Sequence, residues 1–312
     1  MPPRDSKKIF TCPQCKNEIK PITHYIKKDD PNKNEENLLT SLQCETITED
    51  FLKNEFYLSY FKICTVQSGA LKVLFKSLSK YLNEITLKIT KNSISFIKRS
   101  YDNIIFHVRM GSEQFDLFEL SNDVSLNINL IQFRDIIKNL QNDDILSFIK
   151  DKDSYLWKVC FNNYEKNTKS IYTFENNINK IETIKCYPLE YYSELRMGNQ
   201  IIDESLKKMD PLSPETLNLI LNTNHELKLS CQNKEKSITC ENTFCENDYF
   251  AVETFTDNFK KKINYEKFSI VTAFRDLCNL TYIYMKKDKN YIVLRIDIAN
   301  LGQLKIILPC II

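Results

Sequence analysis

Tyr291-Ile-Val-Leu-Arg-Ile-Asp-Ile-Ala-Asn-Leu-Gly-Gln-Leu-Lys-Ile-Ile-Leu-Pro309 reads as two strands joined by a tight turn at Leu301-Gly302. Outward from it, the chain from residue 60 onward consists of short β-branched and aromatic runs broken by Asn, Asp, Lys and Ser. Strands are expected over 60–66, 85–90, 93–98, 104–110, 114–120, 124–129, 145–149, 155–161 and 170–174, with helices over 69–82 and 130–140. The second half repeats that order, with helices expected over 199–209 and 265–277. Lys150-Asp-Lys-Asp-Ser-Tyr155-Leu recurs as Lys287-Asp-Lys-Asn-Tyr291-Ile, each after a helix and a strand. Matching turns at matching places point to a duplicated domain.

A chain of 312 residues can hold two domains, each with its own core. Net charge is only +2, so a nucleic-acid surface must come from the arrangement of charge. Four glycines and no G-x-G-x-x-G or G-x-x-x-x-G-K-[ST] pattern argue against a phosphate-cradling loop. Eleven irregularly spaced cysteines, with no apolar leader at the N-terminus, predict reduced thiols in the cytosol or nucleus. No apolar run reaches membrane-spanning length, so no membrane partner is expected. Residues 27–37 are almost wholly polar and charged, too poor in apolar groups to fold alone.

The tail hairpin closely resembles the last hairpin of the proliferating cell nuclear antigen family, the eukaryotic and viral DNA sliding clamps. Val66-Gln67-Ser68-Gly69-Ala70-Leu71-Lys72, running on to Leu82-Asn83-Glu84, is similar to the family's first strand and helix. Tyr187-Pro188-Leu189-Glu190-Tyr191-Tyr192-Ser193 resembles its interdomain connector, and residues 130–138 its second helix. One departure is Glu119-Leu120-Ser121, where the family usually carries Arg-Cys-Asp/Glu. Similarity thins over 198–265, where drifted turns suggest the loss of a strand. The resemblance implies an α+β sliding-clamp fold of two similar domains, each with antiparallel sheets and two helices, in a ring-forming trimer. The expected divisions are an extension over 1–57, clamp domains over 58–175 and 191–312, and a connector over 176–190.

Helical spacing separates apolar from basic residues. Leu71, Leu74, Phe75, Leu78 and Leu82 share one face, and Lys72, Lys76 and Lys80 another. Arg134 and Lys138 lie opposite Phe133, Ile136 and Ile137; Lys267 and Arg275 are expected outside the fourth helix, and Lys207 and Lys208 on the third. Each alone reads equally as a solvated face. The resemblance places all four helices around a central hole, which would turn these side chains toward the phosphates of double-stranded DNA. It further implies a partner pocket of Arg99, Tyr101, Ile104, Phe106, Ile184, Pro188, Leu308 and Pro309. The subunit contact it implies pairs Ser170, Tyr172 and Phe174 with Tyr249, Val252 and Thr254 of the next copy.

The implied function is a non-catalytic processivity factor tethering DNA polymerase and repair proteins, loaded by a partner ATPase. It would work in the nucleus, or at a cytoplasmic replication site if a large DNA virus encodes it. The alternative is a clamp-fold transcription or scaffold subunit that does not load on DNA. No cofactor is required. Cys12 and Cys15 have the spacing of half a structural zinc site, which His24 and Cys44 could complete. His107 is expected to be packed on a strand, Trp157 to lie in the core, and Asp143-Asp144 to be an ordinary turn.

Overall fold

Burial alternates along β1 (Phe61–Thr65), with Phe61, Ile63 and Thr65 inside and Lys62 outside, as a strand with one packed face requires. The computed structural model describes residues 56–176, 192–233, 238–256 and 258–311, and the same alternation recurs through it. After β1 come α1 (Ser68–Leu78), β2 (Glu84–Thr90), β3 (Ser93–Arg99), β4 (Ile105–Gly111), β5 (Leu117–Leu120) and β6 (Val124–Asn129). Then follow α2 (Leu130–Ile137), β7 (Ile145–Lys150), β8 (Leu156–Asn163) and β9 (Thr168–Glu175). The second half opens with β10 (Ser193–Gly198), α3 (Asn199–Met209), β11 (Thr216–Leu221), β12 (Leu227–Asn233) and β13 (Ile238–Phe244). It closes with β14 (Phe250–Thr254), β15 (Phe259–Asn264), α4 (Tyr265–Ser269), β16 (Leu280–Met285), β17 (Tyr291–Ile298) and β18 (Gly302–Pro309).

These strands form three antiparallel sheets: β5-β1-β7-β8-β9, β13-β12-β11-β15, and the nine-stranded β14-β10-β16-β17-β18-β4-β3-β2-β6. The order β5-β1-β7-β8-β9 in the first half equals β14-β10-β16-β17-β18 in the second, and β4-β3-β2-β6 equals β13-β12-β11-β15. Every strand of one half therefore has a counterpart, and the suggested loss of a strand over 198–265 is corrected. The two halves do not each keep a private pair of sheets. They fuse where β18 pairs with β4, from Gly302↔Met110 to Ile307↔Ile105.

The tail hairpin turns earlier than its sequence suggests. Ala299 adopts a left-handed φ of 45°, Leu301 N–H donates to the Ile298 carbonyl at 2.9 Å, and Gly302 already lies in the strand. Gly302 is there for close approach: a Cβ would collide with the Arg109 carbonyl oxygen and lie 2.7 Å from Met110 Cα.

Three expected helices are shorter. α1 stops at Leu78 because the Ser79 hydroxyl donates back to the Lys76 carbonyl, leaving Lys80 in the turn beyond. After Ile137, Asn139 and Leu140 bond three residues back and tighten the end of α2. The segment expected as one helix over 265–277 is α4 plus a 3-10 turn, Ile270–Phe274.

A motif not anticipated starts the second helix of each half. Ile128-Asn129-Leu-Ile-Gln-Phe133 recurs as Ile263-Asn264-Tyr-Glu-Lys-Phe268. Asn129 Oδ1 accepts from Ile131 and Gln132 N–H, and Asn264 Oδ1 from Lys267 N–H, while Phe133 and Phe268 are fully buried. Each such ring contributes roughly 1.5–3 kcal/mol by burial. Trp157 is core as expected, stacked on Phe174 at 4.5 Å. Asp144 is more than a turn residue, since buried Oδ atoms accept from Gln141 N–H and Asn163 Nδ2, both at 2.8 Å.

Candidate nucleic-acid interface

The helices pack side by side as a single row. α2 meets α1 through the Phe75–Phe133 ring pair at 4.9 Å and through Lys72 Nζ, which donates to the Leu140 carbonyl. α1 meets the 270–274 turn through the Ser77 hydroxyl on the Ala273 carbonyl, with Tyr81 stacked on Phe274. That turn reaches α3 through Arg275 Nη1 and Asp203 Oδ2 at 3.0 Å, and Tyr265 of α4 donates its hydroxyl to the Leu206 carbonyl at 2.8 Å. Elements far apart in sequence therefore share one surface opposite the sheets.

The nine expected basic residues differ in what they are free to do. Lys76, Lys80 and Lys208 are exposed side chains on the outer side of the row. Lys72 is half-buried and spent on the Leu140 carbonyl, and Lys267 Nζ donates to the Asp102 carbonyl at 2.8 Å. Both are corrected from open phosphate contacts to positive groups that also bind neighbouring elements together. Lys207 lies 2.6 Å from Asp203 Oδ2, which also holds Arg275; the Lys207 ammonium and the Arg275 guanidinium keep that carboxyl below its usual range. Arg134 and Lys138 lie 3.6 and 3.9 Å from Asp135. Exposed pairs of this kind exchange readily for other anions, because each is worth only about 0–1 kcal/mol.

The partner pocket divides. Ile184 and Pro188 lie outside the described residues, as do Cys12, Cys15, His24 and Cys44. Phe106 and Leu308 are fully buried, with Phe106 against Tyr81 and Phe274, so both point toward the helix row and cannot line an outer groove. Ile104 is buried, Arg99 half-buried, and Tyr101 is 93% exposed on the β3–β4 turn. Pro309 faces Tyr291 across the ladder.

Alternation assigns Ile105, His107, Ile307 and Pro309 to the sheet's other face. A second cluster forms there from Tyr192, Tyr284 and Val293, flanked by Tyr282, Tyr291 and Ile307. Arg295 Nη1 donates to the Tyr284 hydroxyl at 2.6 Å, which donates to Glu194 Oε1 at 2.7 Å, and the guanidinium lies 3.8 Å over the Tyr282 ring. Burial, then the Glu194 acceptor, pushes the Tyr284 hydroxyl well above its ordinary range. The sequence signal for this face was the alternation Tyr282-Ile-Tyr284 paired with Tyr291-Ile-Val293, which reading single strands did not combine. His107 is packed on a strand as expected, its Nδ1 buried without a partner; burial, then Lys305 and Arg109, lowers its pKa.

Sheet ends supply the last geometry. β9 and β13 are both terminal strands with largely exposed side chains, including Ile171 and Ile238 at about half exposure. Ser170, Tyr172 and Phe174 lie in β9. Val252 and Thr254 lie in β14, whose inner side is taken by β10, and Tyr249 precedes that strand.

Residues 61–184 match the family profile described as "Proliferating cell nuclear antigen, N-terminal domain". A curated relative, DNA polymerase sliding clamp 2 of Sulfolobus acidocaldarius, is 23% identical over 99 residues. The match takes in 31% of this chain and 40% of that relative, so the chain spans about two fifths of its length.

Proposed function

We propose, from the premise that residues 61–184 place this chain in the proliferating cell nuclear antigen family, that it is a DNA sliding clamp. In this reading three copies close head to tail into a ring around duplex DNA and tether DNA polymerase and repair proteins. The role is non-catalytic: a tethered partner rebinds at high effective concentration, so its escape from DNA is suppressed without tighter direct contact. A partner ATPase opens and loads the ring where DNA is copied, in the nucleus or at a cytoplasmic replication site.

The observation that carries this reading is the β18–β4 junction. By the repeat, the counterpart of β18 is β9 and the counterpart of β4 is β13. Inside one chain those two edges have no partner among the described strands. Pairing β9 of one copy with β13 of the next repeats the internal junction between copies, and heterologous contacts of this kind form rings when the rotation closes. The partner strand is therefore assigned to β13 rather than to the stretch around Tyr249, Val252 and Thr254. Both open edges carry an exposed isoleucine that pairing would cover.

The helix row then lines the hole, with Lys76, Lys80 and Lys208 as the freest phosphate contacts and the six others adding to the field. Contacts to phosphate carry no sequence information, which suits a ring that slides. Tyr101, Ile105, Ile307 and Pro309, together with the connector residues Ile184 and Pro188, form the polymerase side. The test is topological. The purified protein is crosslinked on nicked circular DNA, the circle is linearised, and native mass is measured in parallel. A trimer that stays on the circle and slides off the linear product supports the reading; a monomer that remains on linear DNA overturns it.

A further inference from the structure

We propose that Cys231 and Cys240 form a reversible cross-strand disulfide that staples the edge strand β13 to β12. The two residues are direct partners in the β12–β13 ladder. Opposed residues of an antiparallel pair share a face and hold their Cβ atoms about 4.5–5.5 Å apart. A disulfide needs Cα atoms 4.4–6.8 Å apart and Cβ atoms near 3.8 Å, within reach of a small shift. β13 can make that shift because its other edge is open. Both side chains pack into the main core, Cys231 fully buried and Cys240 half-buried. Proximity of the two is also felt electrostatically, since burial and then Cys240 push the Cys231 thiol up.

Among the described residues no other ladder sets two cysteines face to face. Cys64 and Cys160 share a row, but Ser147 of β7 lies between them. Two strand spacings, about 9.5 Å, are beyond disulfide reach.

The chemistry balances with a small-molecule disulfide of the glutathione class as oxidant. The Cys240 thiolate, on the more accessible side, attacks one oxidant sulfur, forming a mixed disulfide and releasing one thiolate. The Cys231 thiolate then attacks Cys240 Sγ and displaces the second. Two protein thiols are oxidised, one small disulfide is reduced to two thiols, and the two protein protons pass to the departing thiolates. The product closes the β12–β13 hairpin covalently and suppresses fraying of β13. This holds whether or not the chain forms a ring, because the staple leaves the outer edge of β13 untouched.

The full-length protein is equilibrated in mixtures of reduced and oxidised glutathione, alkylated, and mapped without reduction. The expected result is joint loss of the two thiols, a linked peptide pair containing Cys231 and Cys240, and reversal by dithiothreitol. Amide exchange across β13 should slow by on the order of tenfold or more on oxidation. Cys240→Ser should leave Cys231 alkylatable throughout, and Cys231→Ser should trap Cys240 as a mixed disulfide. Persistence of both thiols in fully oxidising mixtures overturns the proposal. A stable mixed disulfide on Cys240 of the unmutated chain, or linkage of either residue to another cysteine, overturns it equally. Mapping of the unmutated chain decides the matter even if the buried Cys231→Ser variant does not fold.

Discussion

Gly302→Ala tests the junction between the two halves. In most strands this substitution is mildly favourable, because alanine loses less chain entropy on folding, by about 0.4–1 kcal/mol. At Gly302 the new methyl would meet backbone, with the Arg109 carbonyl carbon 2.9 Å away and Met110 Cα 2.7 Å away. Backbone cannot rotate aside as a flexible side chain does, so β18 must move off β4 at the end of their six-pair ladder. Overpacking of this kind costs about 1–3 kcal/mol, and a lost ladder bond about 1 more. The net expectation is destabilisation by roughly 1–3 kcal/mol, or about 2–10 °C in Tm for a unit of this size. Gly69→Ala is the opposite control. Its Cβ would meet Asn142 Oδ1 at 3.4 Å inside α1, so relief of the glycine penalty should stabilise by about 0.5–1 kcal/mol. Urea and thermal unfolding of both variants measure the difference. A Gly302→Ala protein as stable as the parent would refute the claim that close approach at the junction demands glycine.

Lys76, Lys80 and Lys208 changed together to Glu should leave unfolding midpoints nearly unchanged and lower the salt slope of DNA retention by about three units; an unaltered slope would make these residues an ordinary solvated surface. Lys72→Ala, by contrast, should destabilise by about 1 kcal/mol, because the Leu140 carbonyl loses its donor. Ile171→Lys or Ile238→Lys should weaken self-association in sedimentation while Val252→Lys should not, and the reverse pattern would return the contact to β14. Lys150 is fully buried and donates to the carbonyls of Tyr57, Ser59 and Asp151, and burial draws its pKa down to about 8. Above pH 8 the unfolded chain holds a proton that the folded chain has released, so this group's contribution to stability rises from pH 8 toward 10.5. Lys150→Met should flatten that rise in denaturant titrations across the range, and should cost about 1–3 kcal/mol at pH 7 through the orphaned carbonyls.

Local chemistry made much of this protein legible without coordinates. Alternation along Phe61-Lys-Ile-Cys-Thr65 and the 3.6-residue spacing of Leu71, Leu74, Phe75 and Leu78 depend on which face of a single element is apolar, and both are written in neighbouring residues. The repeated Lys-Asp-Lys turns exposed the duplication for the same reason. The capping pair Asn129 and Asn264 was equally legible, through the Ile-Asn-x-x-x-Phe repeat.

Other features required chain segments to meet. Gly302 looked like a turn residue because glycine favours turns, yet its role is set by Arg109 and Met110, nearly two hundred residues away. Phe106 and Leu308 were legible as apolar but not as helix-facing, since a strand's inward face is decided by the layer packed on it. Lys72, Lys76 and Lys80 shared a sequence stripe, and only the packed Leu140 carbonyl separates the first from the other two. The open edges of β9 and β13 likewise follow from sheet order. Hydrogen-bond partners in a sheet are chosen by long-range pairing, which no local pattern encodes.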